Sequence, residues 1–390
     1  MNPSDPLRCS HRLKKTLSVH STSQAKHMGN DALIFINGRF LSQQIEGVHR
    51  YAMECVRALD ALLGGSGGPR PHRFILLSPR RTIHDLPLTT IEHRRIGFFS
   101  RHAWEQIDLP LHVGRRPLVN MYTAPLLKKN QLITLHDASV FEKPRFYTAA
   151  YALFYRSAFR LLCRRSRGVI TVSGFSRGRF ARYCACPADG IHVVCEGHEH
   201  MLRTAPDAGV FEKHRISRKK PFVLAVGIND RKNMTGILEA AGRLSRDDVP
   251  VIMTGRSNPR LTASQGARVP GNVRFIGYVS DNELRALYDQ AACLVYPSLY
   301  EGFGLPPLEA MACGCPVVVS GIPLFSELYG DAAMTCDPEN AADIARKIML
   351  ILDNPAVREQ LKHRGLERAR QFTWHKCAQQ TYDIIRKLLL

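Results

Sequence analysis

What this chain lacks excludes more than its composition suggests. No stretch approaches about 18 uncharged apolar residues, so no membrane-spanning helix is expected. The opening segment, MNPSDPLRCSHRLKKTLSVHSTSQAKHMGN, has no apolar core of a secretory leader. Its polar, basic make-up reads as a flexible tail over residues 1–30. No C-x-x-C pair occurs; the close pairs Cys184/Cys186 and Cys313/Cys315 lack zinc-site spacing. Cys163 and Cys293 stand in apolar runs, where cysteine acts as a small hydrophobe. Eleven cysteines in this pattern read as reduced thiols of a cytoplasmic protein. Asp-x-Asp is also absent, and with it a compact carboxylate pair for a divalent ion. Acidic residues are scarce, 34 against 54 Lys and Arg, leaving a net charge of +20. Aromatics make up 8% and form no stacking motif, so the charge comes without a nucleic-acid recognition module.

What is present fits a two-domain α/β protein. A length of 390 residues is too great for one ordinary core. The excess positive charge lies mainly in the first 200 residues, which implies an anionic substrate or surface on that side. Asp31-Ala32-Leu33-Ile34-Phe35-Ile36-Asn37 reads as a buried strand, followed by a helix over 48–63. Further strands are expected at 74–77, 118–121, 132–135, 169–172 and 191–194, with helices between most of them. A second alternating series begins with strands at 222–226, 251–254, 273–276, 294–296 and 317–319. Such alternation implies parallel sheets covered on both faces. Residues 201–220, polar and basic, read as the linker.

The most informative segment is 296–321, YPSLYEGFGLPPLEAMACGCPVVVSG. The apolar run before it reads as a strand, Gly302-Phe303-Gly304-Leu305 as a loop, and Leu308 to Ala312 as a helix opened by Pro306-Pro307. A strand leading through a glycine loop to a helix N-terminus suits an anion such as a diphosphate. Glu301 and Glu309 cannot bind a phosphate, because like charges repel, but carboxylates accept hydrogen bonds from paired hydroxyls. The expected ligand is an anion that carries sugars.

These residues resemble the E-x7-E signature of retaining, nucleotide-sugar-dependent glycosyltransferases of family 4. The resemblance spans roughly residues 31–390 and implies the GT-B fold, two doubly wound Rossmann-like domains facing a central cleft. It implies an acceptor-side domain over 31–200, a nucleotide-sugar domain over 221–372, and a last helix over 373–390 crossing back to the first domain. It assigns donor-sugar hydroxyls to Glu301, sugar and diphosphate to the loop Gly302, Phe303, Gly304 and Leu305, and the ribose to Glu309. Gly227-Ile228-Asn229-Asp230-Arg231-Lys232-Asn233 resembles the family segment whose cations neutralise the diphosphate. Arg231 and Lys232 take that role, with Ile228 where many relatives carry another arginine. His136, after the strand at 132–135, matches a histidine facing the donor sugar, with Asp137 placed to orient it. Gly47 falls in a partial match to the N-terminal glycine loop. Ser173 reads either as a helix cap or as a site residue.

Taken together, these matches imply transfer of a hexose from a nucleoside diphosphate sugar to a glycan or polyprenyl-diphosphate-linked acceptor. Segment 36–51, INGRFLSQQIEGVHRY, is similar to bacterial exopolysaccharide and O-antigen mannosyltransferases and points to GDP-mannose. A UDP-hexose donor and a sugar-nucleotide epimerase of the same fold remain alternatives, and a basic nucleic-acid-binding protein is a third. No metal cofactor is expected, since amides, a helix dipole and two cations are available for the diphosphate. Gly197-His198-Glu199-His200 offers no complete ligand set. Arg156, Arg160 and Arg164 form one stripe of a basic amphipathic stretch at 151–167, expected to touch an anionic membrane at its inner face.

Overall fold

The computed structural model describes residues 32–65, 72–244, 246, 249–256 and 269–390. The basic tail expected at residues 1–30 lies outside them. Two parallel sheets account for the architecture. The first has seven strands in the order β3-β2-β1-β4-β5-β6-β7, and the second six in the order β10-β9-β8-β11-β12-β13. In the first they are β1 (Ala32–Asn37), β2 (His72–Pro79), β3 (Glu92–Ile96), β4 (Leu118–Asn120), β5 (Gln131–Thr134), β6 (Gly168–Thr171) and β7 (Ile191–Val193). In the second they are β8 (Val223–Val226), β9 (Val251–Thr254), β10 (Val273–Gly277), β11 (Cys293–Tyr296), β12 (Val317–Ser320) and β13 (Met334–Cys336).

Both orders reverse direction beside the first strand of the sheet, between β1 and β4 and between β8 and β11. Crevices at such reversals, beyond the C-terminal strand ends, are where ligands bind in doubly wound sheets. The central strands are apolar on both faces because helices cover both, which makes them legible as continuous hydrophobic runs. β3 breaks that pattern. Its sequence, Glu92-His93-Arg94-Arg95-Ile96, is charged and largely exposed, as suits an edge strand that must not pair with another chain.

The halves are joined by more than a tether. The polar stretch read as a linker carries two short helices, Glu199–Arg203 and Gly209–Lys213, with Met201, Val210 and Phe211 buried. Lys213 reaches Glu283 at 2.7 Å, fastening this stretch to the Asp281–Gln290 helix. The last helix, Trp374–Leu389, buries Trp374, Cys377, Ala378, Thr381 and Ile385 along one face. That face lies on the first helix, Gly47–Gly65, with the Cys55 and Cys377 sulfurs 3.8 Å apart. One apolar cluster runs from Ile34 and Val56 in the first half through Trp374 to Leu294 and Leu308 in the second.

Candidate active site

The loop after β8 is shaped by three local devices. Gly227 has a positive φ of 88°, and Asn229 caps a single turn by accepting from the Lys232 amide at 3.0 Å. Asn233, itself left-handed at φ 59°, caps the next helix, Met234–Ala241. The turn folds Lys232 back over Gly227 and into the cleft. Its ammonium donates to Glu301 Oε1 at 2.6 Å and also to the Tyr296 hydroxyl. Tyr296 in turn donates to the same carboxylate at 3.2 Å. Burial pulls the Lys232 amine below its ordinary value, with the Glu301 charge opposing the shift.

Arg231 takes a different direction. Its guanidinium crosses the cleft to Asp137 Oδ2 at 3.1 Å. Burial opposes the charged form, but the Glu301 and Asp137 carboxylates outweigh it and hold Arg231 above its ordinary value. Asp137 is correspondingly held below the usual carboxylate range: burial would raise it, while Arg231 and the Ser139 side chain and amide prevail. The two cations read as sharing one role thus have different partners, Lys232 within its own domain and Arg231 across the cleft. Asp137 binds Arg231 and Ser139, so it is not the partner of the neighbouring imidazole. This pair was missed in the sequence because its members lie 94 positions apart.

The glycine loop meets the first domain directly. A Cβ on Gly302 would stand 2.4 Å from the His136 carbonyl oxygen, so only glycine fits this approach. Ser173 Oγ donates to the Gly302 carbonyl at 2.7 Å while accepting from the Ser176 amide, so this residue is a helix cap and an interdomain contact together. At the start of the Gly174–Cys184 helix, the amides of Gly174 and Phe175 each donate to Glu327 of the second domain at 2.7 Å. Gly304 is left-handed, at φ 93°, with its carbonyl held by the Tyr329 hydroxyl at 2.6 Å. The Leu305–Ala312 helix begins there. Its prolines carry no N–H, so amide donors for an anion fall on the Gly302–Leu305 turn, backed by the helix dipole. Phe303 and Leu305 are buried, Phe303 edge-on against Phe372, so only their backbones can face a ligand.

Glu309 is held from below. Trp374 Nε1 donates to His200 Nδ1 at 3.0 Å, which leaves the His200 Nε2 proton for Glu309 Oε1 at 2.9 Å. Tyr288 donates to the other oxygen at 3.1 Å. Burial would raise the Glu309 carboxyl, but the His200 contacts bring it below its ordinary value. His198 is bonded to the Phe372 carbonyl and Glu199 to the Trp374 amide, so all three side chains of His198-Glu199-His200 have protein partners. Among the described residues no cluster with the makings of a metal site occurs.

On the opposite wall, the His136 ring stands edge-on to Tyr51 and donates through Nε2 to the Met121 carbonyl at 3.0 Å. Its Nδ1 lies 3.8 Å from Glu196, a buried acid that sequence reading passed over because it sits in a polar run. Burial raises the Glu196 carboxyl, and His136 opposes the shift. Gly47 opens the first helix with clear space above its Cα. Between these groups a cavity of about 600 Å³ is lined by Tyr122, His136, Asp137, Tyr147, Tyr155 and Arg231, among others. Its size suits a small-molecule site.

This arrangement sets a glycine turn and two cations beside buried carboxylates at a closed interdomain cleft. Known proteins resemble this chain in sequence and in fold. The family model for glycosyl transferases group 1 matches residues 209–368. O-antigen chain mannosyltransferase B of Escherichia coli is 32% identical over 310 residues, covering 76% of this chain and 80% of that protein. O-antigen chain mannosyltransferase RfbU of Salmonella typhimurium is 30% identical over 253 residues, covering 63% and 68%. Anabaena HepE, solved with UDP-glucose, superposes with a TM-score of 0.69 at 16% identity over 91% of this chain and all of its own, which shows the GT-B fold. By sequence, this chain belongs to the group 1 family of glycosyltransferases.

Proposed function

We propose that the protein transfers mannose from GDP-mannose, with retention, to a glycan acceptor in the assembly of a surface polysaccharide. The observation that carries the reading is the Lys232–Tyr296–Glu301 cluster beside the Gly302–Leu305 turn. The ammonium and the carboxylate satisfy each other. A donor would exchange that contact, its sugar hydroxyls taking Glu301 and its diphosphate taking Lys232. Arg231, Lys232 and the dipole of the Leu305–Ala312 helix then face the charge that grows on the departing diphosphate. The acceptor hydroxyl attacks the face from which the diphosphate leaves, and its proton passes to a departing phosphate oxygen. No second carboxylate need serve as a nucleophile. The mannose assignment is supported by the two O-antigen relatives, both mannosyltransferases. For the acceptor we propose a polyprenyl-diphosphate-linked glycan, met from the cytoplasm at the inner face of the membrane. A UDP-hexose is the second reading, favoured by the UDP-glucose in HepE.

Incubating the purified protein with a panel of GDP- and UDP-sugars, with and without EDTA, tests the donor. Nucleoside diphosphate release from GDP-mannose that persists in EDTA and disappears in Glu301→Ala is the expected result. Release from a UDP-hexose alone would replace the donor, and loss in EDTA would overturn the metal-free reading. The anomeric coupling of the product, read by NMR, decides retention.

A further inference from the structure

The helix carrying Arg156, Arg160 and Arg164 was expected to meet the membrane; two of these three arginines have partners within the domain. Arg156 Nε donates to the Val140 carbonyl at 2.7 Å and Arg160 Nε to the Tyr183 carbonyl at 3.1 Å. Both guanidinium groups also lie against the Phe141 ring. This side of the stripe packs within the domain.

A different surface has the required chemistry. Between β3 and β4 the chain makes a tight turn at Gly97, φ 80°, where a Cβ would collide with the Asp108 carboxylate. Asp108 accepts from the amides of both Phe98 and Phe99, at 2.9 and 2.8 Å. The turn is thereby pinned with two phenylalanines pointing out, 87% and 51% exposed. The helical run that follows, 101–113, is apolar on two faces. Trp104, Leu109 and Val113 are buried against Phe35 and Leu77. On the outer face, one turn apart, Ile107 is 44% and Leu111 78% exposed.

Arginines predominate around this apolar face, and the exposed carboxylates nearest it, Asp85 and Glu92, are paired with Arg95 and Arg94. Arg80, Arg81, Arg101, Arg115 and Arg116 are exposed, and Arg80 lies over the Phe98 ring. The carboxylates of the same run are used inward: Glu105 is buried on Arg39, and Asp108 holds the turn. Exposed aromatic and aliphatic side chains rimmed by cations match an anionic bilayer surface, with the apolar groups entering the acyl boundary and the arginines meeting headgroups. The inner face of the same run supplies His102 and Gln106 to the wall of the cleft cavity.

We propose that the Phe98-Phe99 turn and the Ile107/Leu111 stripe form the docking face of this protein on an anionic lipid surface. The inference deepens the reading of a lipid-linked acceptor: a bilayer held there lies one helix from the cavity.

Vesicle co-sedimentation of the full chain tests it, with vesicles of phosphatidylcholine alone and of equal parts phosphatidylcholine and phosphatidylglycerol. Binding to the mixed vesicles, weakened at least tenfold in F98S/F99S and in L111S but not in L153S/F154S on the 149–165 helix, is the expected result. Donor turnover, measured without vesicles, should be unchanged in F98S/F99S and shows that the variant is folded. Equal binding of F98S/F99S and wild type, or no binding by a protein that turns donor over, would overturn the docking face. Vesicle binding that depends on Phe98 and Phe99 in a protein with no donor turnover would leave the face standing and remove the transferase reading.

Discussion

Ser173 Oγ reaches across the cleft to the Gly302 carbonyl at 2.7 Å, so the cap of a helix in one domain also holds the donor-side loop of the other. The His136 carbonyl lies against the same glycine. The cleft is therefore closed through backbone contact at the point where the donor sugar is expected.

Gly302→Ala should break this contact, because its Cβ has no room beside His136. We expect kcat/KM to fall at least about a hundredfold through misplacement of the loop. The second domain should remain folded, and small-angle scattering should show a wider molecule. Ser173→Ala loses the cap as well as the interdomain bond, and should cost about 1–2 kcal/mol in denaturant unfolding.

Lys232→Ala leaves Glu301 buried without its cation. A loss of about 10²–10³ in kcat is expected. Glu301→Gln combined with Lys232→Ala should be much less than multiplicative, since each single change already breaks the same unit. Independent effects in steady-state kinetics would show that the two groups do not work together.

His200→Ala removes the donor that orients Glu309 and leaves the Trp374 indole N–H unpaired. Glu309 is assigned to the nucleotide rather than to the reacting carbon. The expected signature is a donor KM raised about tenfold with kcat little changed, corresponding to one lost charge-assisted hydrogen bond. A fall in kcat at constant KM would move Glu309 into the chemical step.

The Asp137–Arg231 pair should make stability depend on acid. Asp137 titrates below its ordinary value of 3.8 in the folded protein. Its stabilisation is therefore complete above that value and is lost as pH falls through the lower, folded one. Asp137→Asn should cost about 1–3 kcal/mol near neutral pH. The gap from wild type should stay constant above about pH 5 and close below it. A gap that persists in acid would assign the effect to packing.

Legibility in the sequence followed the range of the interactions. The apolar central strands and the turn from β8 to Lys232 could be read because local patterning dictates them. β3 could not, because an exposed edge strand shows no apolar run. The stretch 201–220 was read as a linker without its short helices and its ion pair to Glu283, because caps and ion pairs look the same in sequence as solvated loops. Arg156 and Arg160 were read as part of a membrane-facing stripe because nothing local announces that Val140 and Tyr183 lie opposite.

The sequence by itself determined two doubly wound sheets, the strand–loop–helix unit around Glu301 and Glu309, and the cations that follow β8. Each is encoded within a few residues by apolar periodicity, glycine or proline. The tertiary structure alone decided which charges face each other: Lys232 with Glu301, Arg231 with Asp137, His200 with Glu309. It also decided which apolar groups remain outside, Phe98 and Leu111 among them. These outcomes depend on how two domains close over one cleft, and the distances that result join residues with no spacing relationship along the chain.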